Sequence, residues 1–593
     1  PCRRPWAARR CRRRSGLDGP ATTRHARRVT TEHTLLRRLV VLLLGLAVAA
    51  GVLSLAWDVL APGGWTLWEA VILLCLAGTI PWSALSAANA LVGFVTLMVA
   101  RDPVAAVLPA LRAIRPGPLR SRTAIAVCIR NEDMATVLPP LARLLDGLEA
   151  AGAGDRFALW FLSDTQDPAF AAAEEAAIAA FAESRAGCAV PVRYRRRSEN
   201  IGFKAGNVMD FLDFHAEGFD FFLCLDADSE MSAAAVLRLV ACMEADPRLA
   251  ILQQLIAGRP ARAAFPRLFQ FGMRQGMRSW ATGQAWWQGD EGPYWGHNAI
   301  ISIAPFRDHA RLERLPDGSA ILSHDQVEAT RLTAAGWKVR VLPDDEGSLE
   351  GNPPAFPEFL ARDLRWAAGN LQYFALLRLP GLTPMARWQL AQAILLFFGA
   401  PLWCALFAAA AVNAATGGGA ATPMGALVAL VGFGWWCHYA PKLMGYAEVL
   451  LKPRMAARYG GTLAFARGAL AEIAFTILFE PARLLHQARF IVMLPFGVRT
   501  GWAPQNRADR GVAWADAVRM LWPETLAGVA LAVLFASASG WALLLALPFL
   551  AGLLLAIPFC VLTADPWFSA WLRTRRIAAT PEEIAPGWTR PGG

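Results

Sequence analysis

Phe221-Phe222-Leu223-Cys224-Leu225-Asp226-Ala227-Asp228-Ser229 decides the fold. An uninterrupted apolar run of strand length ends abruptly at two aspartates one residue apart. Such a run, bounded by polar residues, is the pattern of a strand buried on both faces. The same pattern occurs at Thr123–Ile129, which ends at Arg130-Asn131-Glu132-Asp133, and at Ala158–Leu162, which ends at Ser163-Asp164-Thr165. Ala-rich stretches such as Ala169–Ala182 lie between and predict crossover helices. The reading is a parallel α/β sheet. In such sheets ligands bind outside the carboxyl ends of the strands, where all three polar clusters stand.

Outside this domain the chain changes character. It has 593 residues, of which 55% are hydrophobic and 18% charged, and its mean hydropathy is +0.34. These values argue against disorder, collagen-like repeats and a purely soluble enzyme. The formal net charge of +11 comes from Arg, since Lys occurs only at Lys204, Lys338, Lys442 and Lys452. Arg and Ala richness together read as codon bias, so the basic balance is no argument for nucleic acid. The ten Cys form no CxxC and no metal-ligand spacing, which fits reduced thiols in a cytosolic domain.

Apolar runs of spanning length lie at Leu39–Trp57, Leu67–Ala100, Leu390–Ala411, Met424–Leu450, Leu526–Leu544 and Leu545–Leu562. Arg27, Arg28, Arg37 and Arg38 precede the first, whereas Asp58–Thr66 and Val412–Pro423 contain no Lys or Arg. Arg101, Arg112 and Arg115 follow the second run, Lys452 and Arg454 the fourth, and Arg573, Arg575 and Arg576 the last. This asymmetry predicts both termini and the 101–385 domain on the cytoplasmic side. Residues 464–498 are apolar but carry Arg467, Glu472, Glu480, Arg483, His486 and Arg489. With Arg499, Arg507 and Arg510 following, they are expected to cross an even number of times, as a short hairpin or as interfacial helices. The expected organisation is a basic, disordered tail over 1–28, which lacks an initiating Met and resembles no signal peptide, and two transmembrane helices over 29–100. The cytoplasmic domain follows over 101–385, then a helix pair over 386–450, the ambiguous region over 451–522, a second pair over 523–565 and a tail over 566–593. Six to eight transmembrane helices are expected.

Four further motifs carry chemistry. Asp226 and Asp228, two hard-oxygen ligands at a strand end, suit Mg²⁺ or Mn²⁺ shared with phosphate oxygens; a plain turn is the bland alternative. Ser198-Glu199-Asn200-Ile201-Gly202-Phe203-Lys204-Ala205-Gly206-Asn207 leads a basic run into a helix whose N-terminus, with Lys204, can hold a diphosphate. Ser323-His324-Asp325 opens another helix, where Asp325 is either an N-cap or a general base. Glu350-Gly351-Asn352-Pro353-Pro354 leads to a helix with Arg362, Arg365, Trp366 and Gln372, either a clamp for acceptor or diphosphate or a basic interfacial helix.

Taken together, Asp164, Asp226-Ala227-Asp228, Asp325 and Arg362-Asp363-Leu364-Arg365-Trp366 resemble, in order and spacing, the processive inverting GT-A glycosyltransferases that include cellulose and hyaluronan synthases. More narrowly, ENIGFKAGN, YWGHNAIIS, SHDQVEA and EGNPPAFPEFLARDLRWAAGNLQY resemble the bacterial glucosyltransferases of osmoregulated periplasmic glucans. The resemblance covers roughly residues 30–570. It departs from cellulose synthases in reading SHD for TED, and no PilZ-like domain is visible, which weakens cellulose as product.

The resemblance implies a GT-A-type (Rossmann-like) cytoplasmic domain inserted in a polytopic α-helical protein of the bacterial inner membrane. It implies transfer of glucose from UDP-glucose onto a growing glucan chain with β-1,2 linkages, by single displacement with inversion, coupled to export. A divalent metal (Mg²⁺ or Mn²⁺) would sit at Asp226 and Asp228. Asn131, Glu132 and Asp164 would hold the uridine end, and Lys204, Arg362 and Arg365 the diphosphate. Asp325 would be the base, Trp366 would stack under the acceptor sugar, and Trp295 and His297 would line the acceptor site. Membrane lipids and a periplasmic glucan-processing protein are the implied partners; nucleic acid is not. Another processive β-glycan synthase, a polyprenyl-phosphate sugar transferase and a transporter with an inert domain remain as alternatives.

Overall fold

The computed structural model describes residues 23–498 and 510–585. The expectations for the first part of the basic tail, for Arg499 and Arg507 and for the end of the C-terminal tail lie outside the described residues.

Seven strands form the main sheet: β1 (Thr123–Ile129), β2 (Phe157–Ser163), β3 (Val192–Arg196), β4 (Phe221–Asp226), β6 (Leu249–Gln254), β8 (Ala299–Ser302) and β9 (Lys338–Leu342). Their order is β3-β2-β1-β4-β8-β6-β9. The apolar runs are continuous because each strand fills two cores. Ile125, Val127 and Ile129 enter one core with Leu223 and Leu225. Ala124 and Ala126 enter the other with Phe222 and Cys224. The Ala-rich crossover stretch becomes a helix over Pro168–Ser184, started by Asp167 as N-cap and Pro168 in the first turn.

The sheet is mixed rather than wholly parallel. Strand β8 runs antiparallel to both neighbours, β4 and β6. Before it the chain makes a long helix, Ala264–Gln288, and re-enters the sheet from the ligand edge. An antiparallel strand brings its amino end to that edge, so Trp295-Gly296-His297 arrive beside Asp226. A second, three-stranded sheet of β5 (Glu230–Met231), β10 (Ser348–Glu350) and β7 (Ala257–Gly258), in the order β5-β10-β7, stands next to the aspartate pair.

Among the described residues five helices are long and apolar enough to cross a membrane: Thr34–Leu60, Leu67–Val99, Pro384–Ala415, Thr462–Phe496 and Trp514–Ala538. A pair bent by 55°, Gly540–Leu554 and Ala556–Thr563, makes a sixth if it acts as one span. The bent pair thus brings the count to six, the lower end of the expected six to eight. Met424–Leu451, expected as a span, forms one continuous helix of 28 residues but is not among these five. Residues 464–498 form no hairpin: one unbroken helix, Thr462–Met493, holds most of them. The last pair divides at Ser539, which caps the following helix by accepting from Ala542 N, and not at residue 544.

Candidate active site

The carboxyl edge of β1, β2 and β4 gathers the first group of site residues. After β1, Asn131 takes a left-handed conformation (φ 55), and its backbone N–H donates to Thr165 Oγ1 at 2.9 Å. Its Oδ1 is buried and lacks a hydrogen-bond partner, an acceptor that a ligand N–H would satisfy. Glu132 follows it at the same edge. After β2, Asp164 accepts from Arg197 Nε and Nη2 at 2.7 and 2.8 Å. Burial raises the Asp164 pKa, and Arg197 opposes the rise. Arg197 also donates to Ile201 O and Phe203 O, both at 3.0 Å, and so shapes the loop before Lys204. In that loop Gly202 (φ 74) and Phe203 (φ 51) are left-handed, and Gly206 N donates to Gly202 O at 2.9 Å. A β-carbon at Gly206 would strike Ile201 O, so the close approach requires glycine.

Lys204 Nζ donates to Asp226 Oδ1 and, at 2.8 Å, to Gly296 O. Burial acts to lower the Lys204 pKa, but Asp226, with the neighbouring Cys224 and Cys128, makes the net shift upward. His297 spans two carboxylates, with Nε2 2.9 Å from Glu350 Oε2 and Nδ1 3.9 Å from Asp226 Oδ2. Burial alone would lower its pKa; Asp226 and Glu350 raise it to about 9. Gly351 lies against Asp228, whose Oδ2 would be 3.2 Å from a β-carbon there. Arg362 lies 4.5 Å over the Trp366 ring, and its charge interacts with Glu350 and Asp228. Arg365 is half-buried beside it. Trp366 stays 47% exposed, an open aromatic face.

The donor set fits a divalent ion. Asp226 and Asp228 offer hard oxygen ligands, and the Lys204 ammonium already rests on Asp226 as a cation. Among the described residues no group of three or more His, Cys, Asp or Glu could enclose a metal. An ion here would therefore complete its shell with phosphate oxygens and water, as Mg²⁺ and Mn²⁺ do in nucleotide sites.

Asp325 is the first residue of its helix, Asp325–Ala334, whose N-cap His324 makes no side-chain cap bond. Asp325 Oδ1 accepts only a short-range bond from Gln326 N at 3.0 Å, and Ser323 offers its carbonyl to Tyr373 Oη at 2.8 Å. Neither residue caps by side chain, so capping does not account for Asp325. Instead its carboxylate faces Gly296, where a β-carbon would be 3.4 Å from Oδ2. Gly296 (φ 90) thus has Asp325 on the side that a β-carbon would fill and gives its carbonyl to Lys204.

Of the two further residues expected at the acceptor, His297 lies between Glu350 and Asp226, and the Trp295 ring packs near Val107, Ala285 and Val341. Arg197 is a site residue that the sequence reading misses, and Glu350, quoted there only as the start of its motif, has no role assigned to it. Arg197 could have been found as the last arginine of the basic run that follows β2, opposite a buried Asp164.

Residues 221–445 match the model of the glycosyl transferase family group 2. The chain is 34% identical to a glucans biosynthesis glucosyltransferase H of Caulobacter vibrioides over 593 aligned residues, 95% of this chain and 87% of that one. It is 32% identical to the protein of that name from Xylella fastidiosa, covering 89% of this chain and 86% of the other. Among solved structures, a mannosyltransferase from Pyrobaculum calidifontis in complex with GDP-Man and Mn²⁺ aligns at 17% identity and a TM-score of 0.37, over 61% of this chain and 98% of that one.

Proposed function

The chain belongs to the glucans biosynthesis glucosyltransferase H family, and from that premise we propose that it polymerises glucose from UDP-glucose into a β-1,2-linked glucan and passes the product across the bacterial inner membrane. It is a glycosyltransferase with a GT-A-type domain. The observation that carries the donor reading is the convergence of Lys204, Asp226, Asp228, His297 and Glu350 at one sheet edge.

In this reading Asn131, Glu132 and Asp164 bind the uridine end, the unpartnered Asn131 Oδ1 supplying a base acceptor. A divalent ion held by Asp226 and Asp228 would supply positive charge to the leaving diphosphate. Lys204 and Arg362 add fixed positive charge where negative charge develops, and Arg365 stands beside them. His297, tied to Glu350, orients Asp226 and does not hold the acceptor. Trp366 stacks under the acceptor sugar. Asp325 accepts the proton of the acceptor hydroxyl as its oxygen forms the bond to the anomeric carbon and the bond to the diphosphate breaks. One base and no opposing nucleophile gives inversion.

A cavity of about 510 Å³ inside the helical bundle supports export. Trp403, Trp435, His438, Tyr439 and Glu480 line it, and it reaches Gly417 and Thr422 in the loop read as external. Glu480 pairs with Arg483 at 2.8 Å and Arg483 with Asp363 at 3.6 Å, which joins the cavity wall to the helix of Arg362 and Trp366. The catalytic domain, on this reading, is cytoplasmic, and the unbroken Thr462–Met493 helix, packed on both Ala264–Gln288 and Phe356–Leu371, contributes Glu480 to the cavity wall. The test is linkage analysis of the product made from labelled UDP-glucose by the purified protein in vesicles. A β-1,2 glucan inside the lumen of inverted vesicles is expected. A different polymer, or one sugar on lipid, overturns the assignment.

A further inference from the structure

The loop that delivers β10 to the donor site carries three consecutive acidic residues, each held by an arginine from a different part of the chain. Asp344 Oδ2 accepts from Arg238 Nη1 at 2.5 Å, Asp345 Oδ2 from Arg274 Nε at 2.5 Å, and Glu346 pairs with Arg458 at 3.1 Å. Arg274 belongs to the Ala264–Gln288 helix and is only 4% exposed. The rest of its guanidinium faces the C-terminal segment, where Nη1 and Nη2 donate to Glu582 at 2.8 and 3.0 Å. These partners are 308 residues apart. Arg267, two turns earlier on the same helix, donates to Ile577 O and to Glu583 Oε2, both at 2.7 Å.

A buried guanidinium must have both its charge and its N–H donors met. Arg274 meets them with only two carboxylates, Asp345 and Glu582. Arg278 Nη1, 3.2 Å from Asp345 Oδ1, also holds Asp345, so loss of Glu582 lets Arg274 shift toward water or toward its remaining partner and changes the Oδ2 side of Asp345's anchoring. From Asp345 the path to the site is short. Asn298 Nδ2 donates to Ser348 Oγ at 3.0 Å, Glu350 meets His297, and Gly351 abuts Asp228.

We infer that the C-terminal segment Ile577–Ile584 is part of the catalytic unit: Glu582 holds Arg274, Arg274 holds Asp345, and this chain sets where β10 places Glu350 and Gly351 at the nucleotide-binding carboxylates. Arg274 is a positioning residue that touches no substrate. The inference rests on the donor-site reading above.

The test compares two carboxylates of the same short segment in the full-length protein purified in detergent. Glu582→Gln removes the charge that Arg274 shares with Asp345, whereas Glu583→Gln alters the Arg267 contact and the Thr580 cap, neither of which leads to Asp345. UDP binding in the presence of Mg²⁺ or Mn²⁺, donor KM and kcat, and melting temperature are measured for each. Glu582→Gln is expected to weaken UDP binding and raise donor KM by roughly three- to tenfold, while Glu583→Gln stays within about twofold even where its melting temperature falls as far. Equal changes in the two variants, or none in Glu582→Gln, overturn the inference. If Glu582→Gln does not accumulate, Arg274→Lys replaces it with the same expectation, since Lys keeps the charge but not the planar fork. Absence of UDP binding by the unaltered protein overturns the donor-site reading and, with it, this inference.

Discussion

His297 Nε2 lies 2.9 Å from Glu350 Oε2 while the same imidazole faces Asp226, so one ring joins β10 to the strand-end aspartates. Partners of this kind orient metal-binding carboxylates, and losing one costs about 10- to 100-fold in metal affinity or activity. His297→Ala and Glu350→Gln are therefore expected to move metal activation to higher Mg²⁺ or Mn²⁺ concentration. Activation curves that superimpose on that of the unaltered enzyme would remove His297 from the donor site.

The aspartate pair itself gives a sharper outcome. Asp226→Asn or Asp228→Asn is expected to abolish synthesis and to remove the metal dependence of UDP binding. Undiminished turnover by either variant in the presence of EDTA would discard the metal assignment.

Asp325 separates base from structure. General-base removal typically costs ~10²–10⁴-fold in rate and little donor affinity, since the carboxylate acts on the acceptor in the transition state. Asp325→Asn is expected to fold and bind UDP as the unaltered protein does, yet barely make glucan. Near-normal synthesis by a well-expressed Asp325→Asn enzyme would leave the residue a local helix-start role only.

Topology is open to labelling. Cysteines placed in Asp58–Thr66 and Val412–Pro423 are expected to react with an impermeant thiol reagent added to intact spheroplasts. The native Cys188, exposed on the catalytic domain, is expected to react only after lysis. Labelling of Cys188 in intact cells would reverse the orientation.

Asp345 predicts an acid limb of stability. Burial would raise its pKa, but Arg274 and Arg278 hold it well below the usual carboxylate range. A depressed folded-state pKa stabilises the fold above the unfolded value of about 3.9 and loses that stabilisation as pH falls below it. The melting temperatures of the unaltered protein and of Asp345→Asn are expected to differ most near neutral pH and to converge below about pH 4. A difference that is constant with pH would mean that the contact is not electrostatic.

Much of this was legible in the residues. The apolar runs at Thr123–Ile129 and Phe221–Leu225 read as doubly buried strands because both faces of the sheet are covered, and the polar clusters after them fell at the ligand edge. Lys204 and Asp226, 22 residues apart, each read as a diphosphate-site residue from its own motif, and the two side chains are in contact. The direction of β8 was not legible, because a four-residue apolar strand carries the same pattern in either direction. Nor was the course of Thr462–Met493, whose mixture of Phe, Leu and charged side chains suits a membrane surface and a helical bundle alike.

The sequence by itself determined three central strands, β1, β2 and β4, the approximate apolar helices and the order of the aspartates and the RxxRW motif, since these depend on local periodicity and on residues near each other in the chain. Only the tertiary structure decided that His297 belongs with Glu350, that Asp164 is held by Arg197, and that Glu582 reaches Arg274 across 308 residues. Ion pairs across such separations leave no periodic trace. Each charged side chain alone reads as a solvated surface group, and only burial against a specific partner makes it a part of the site.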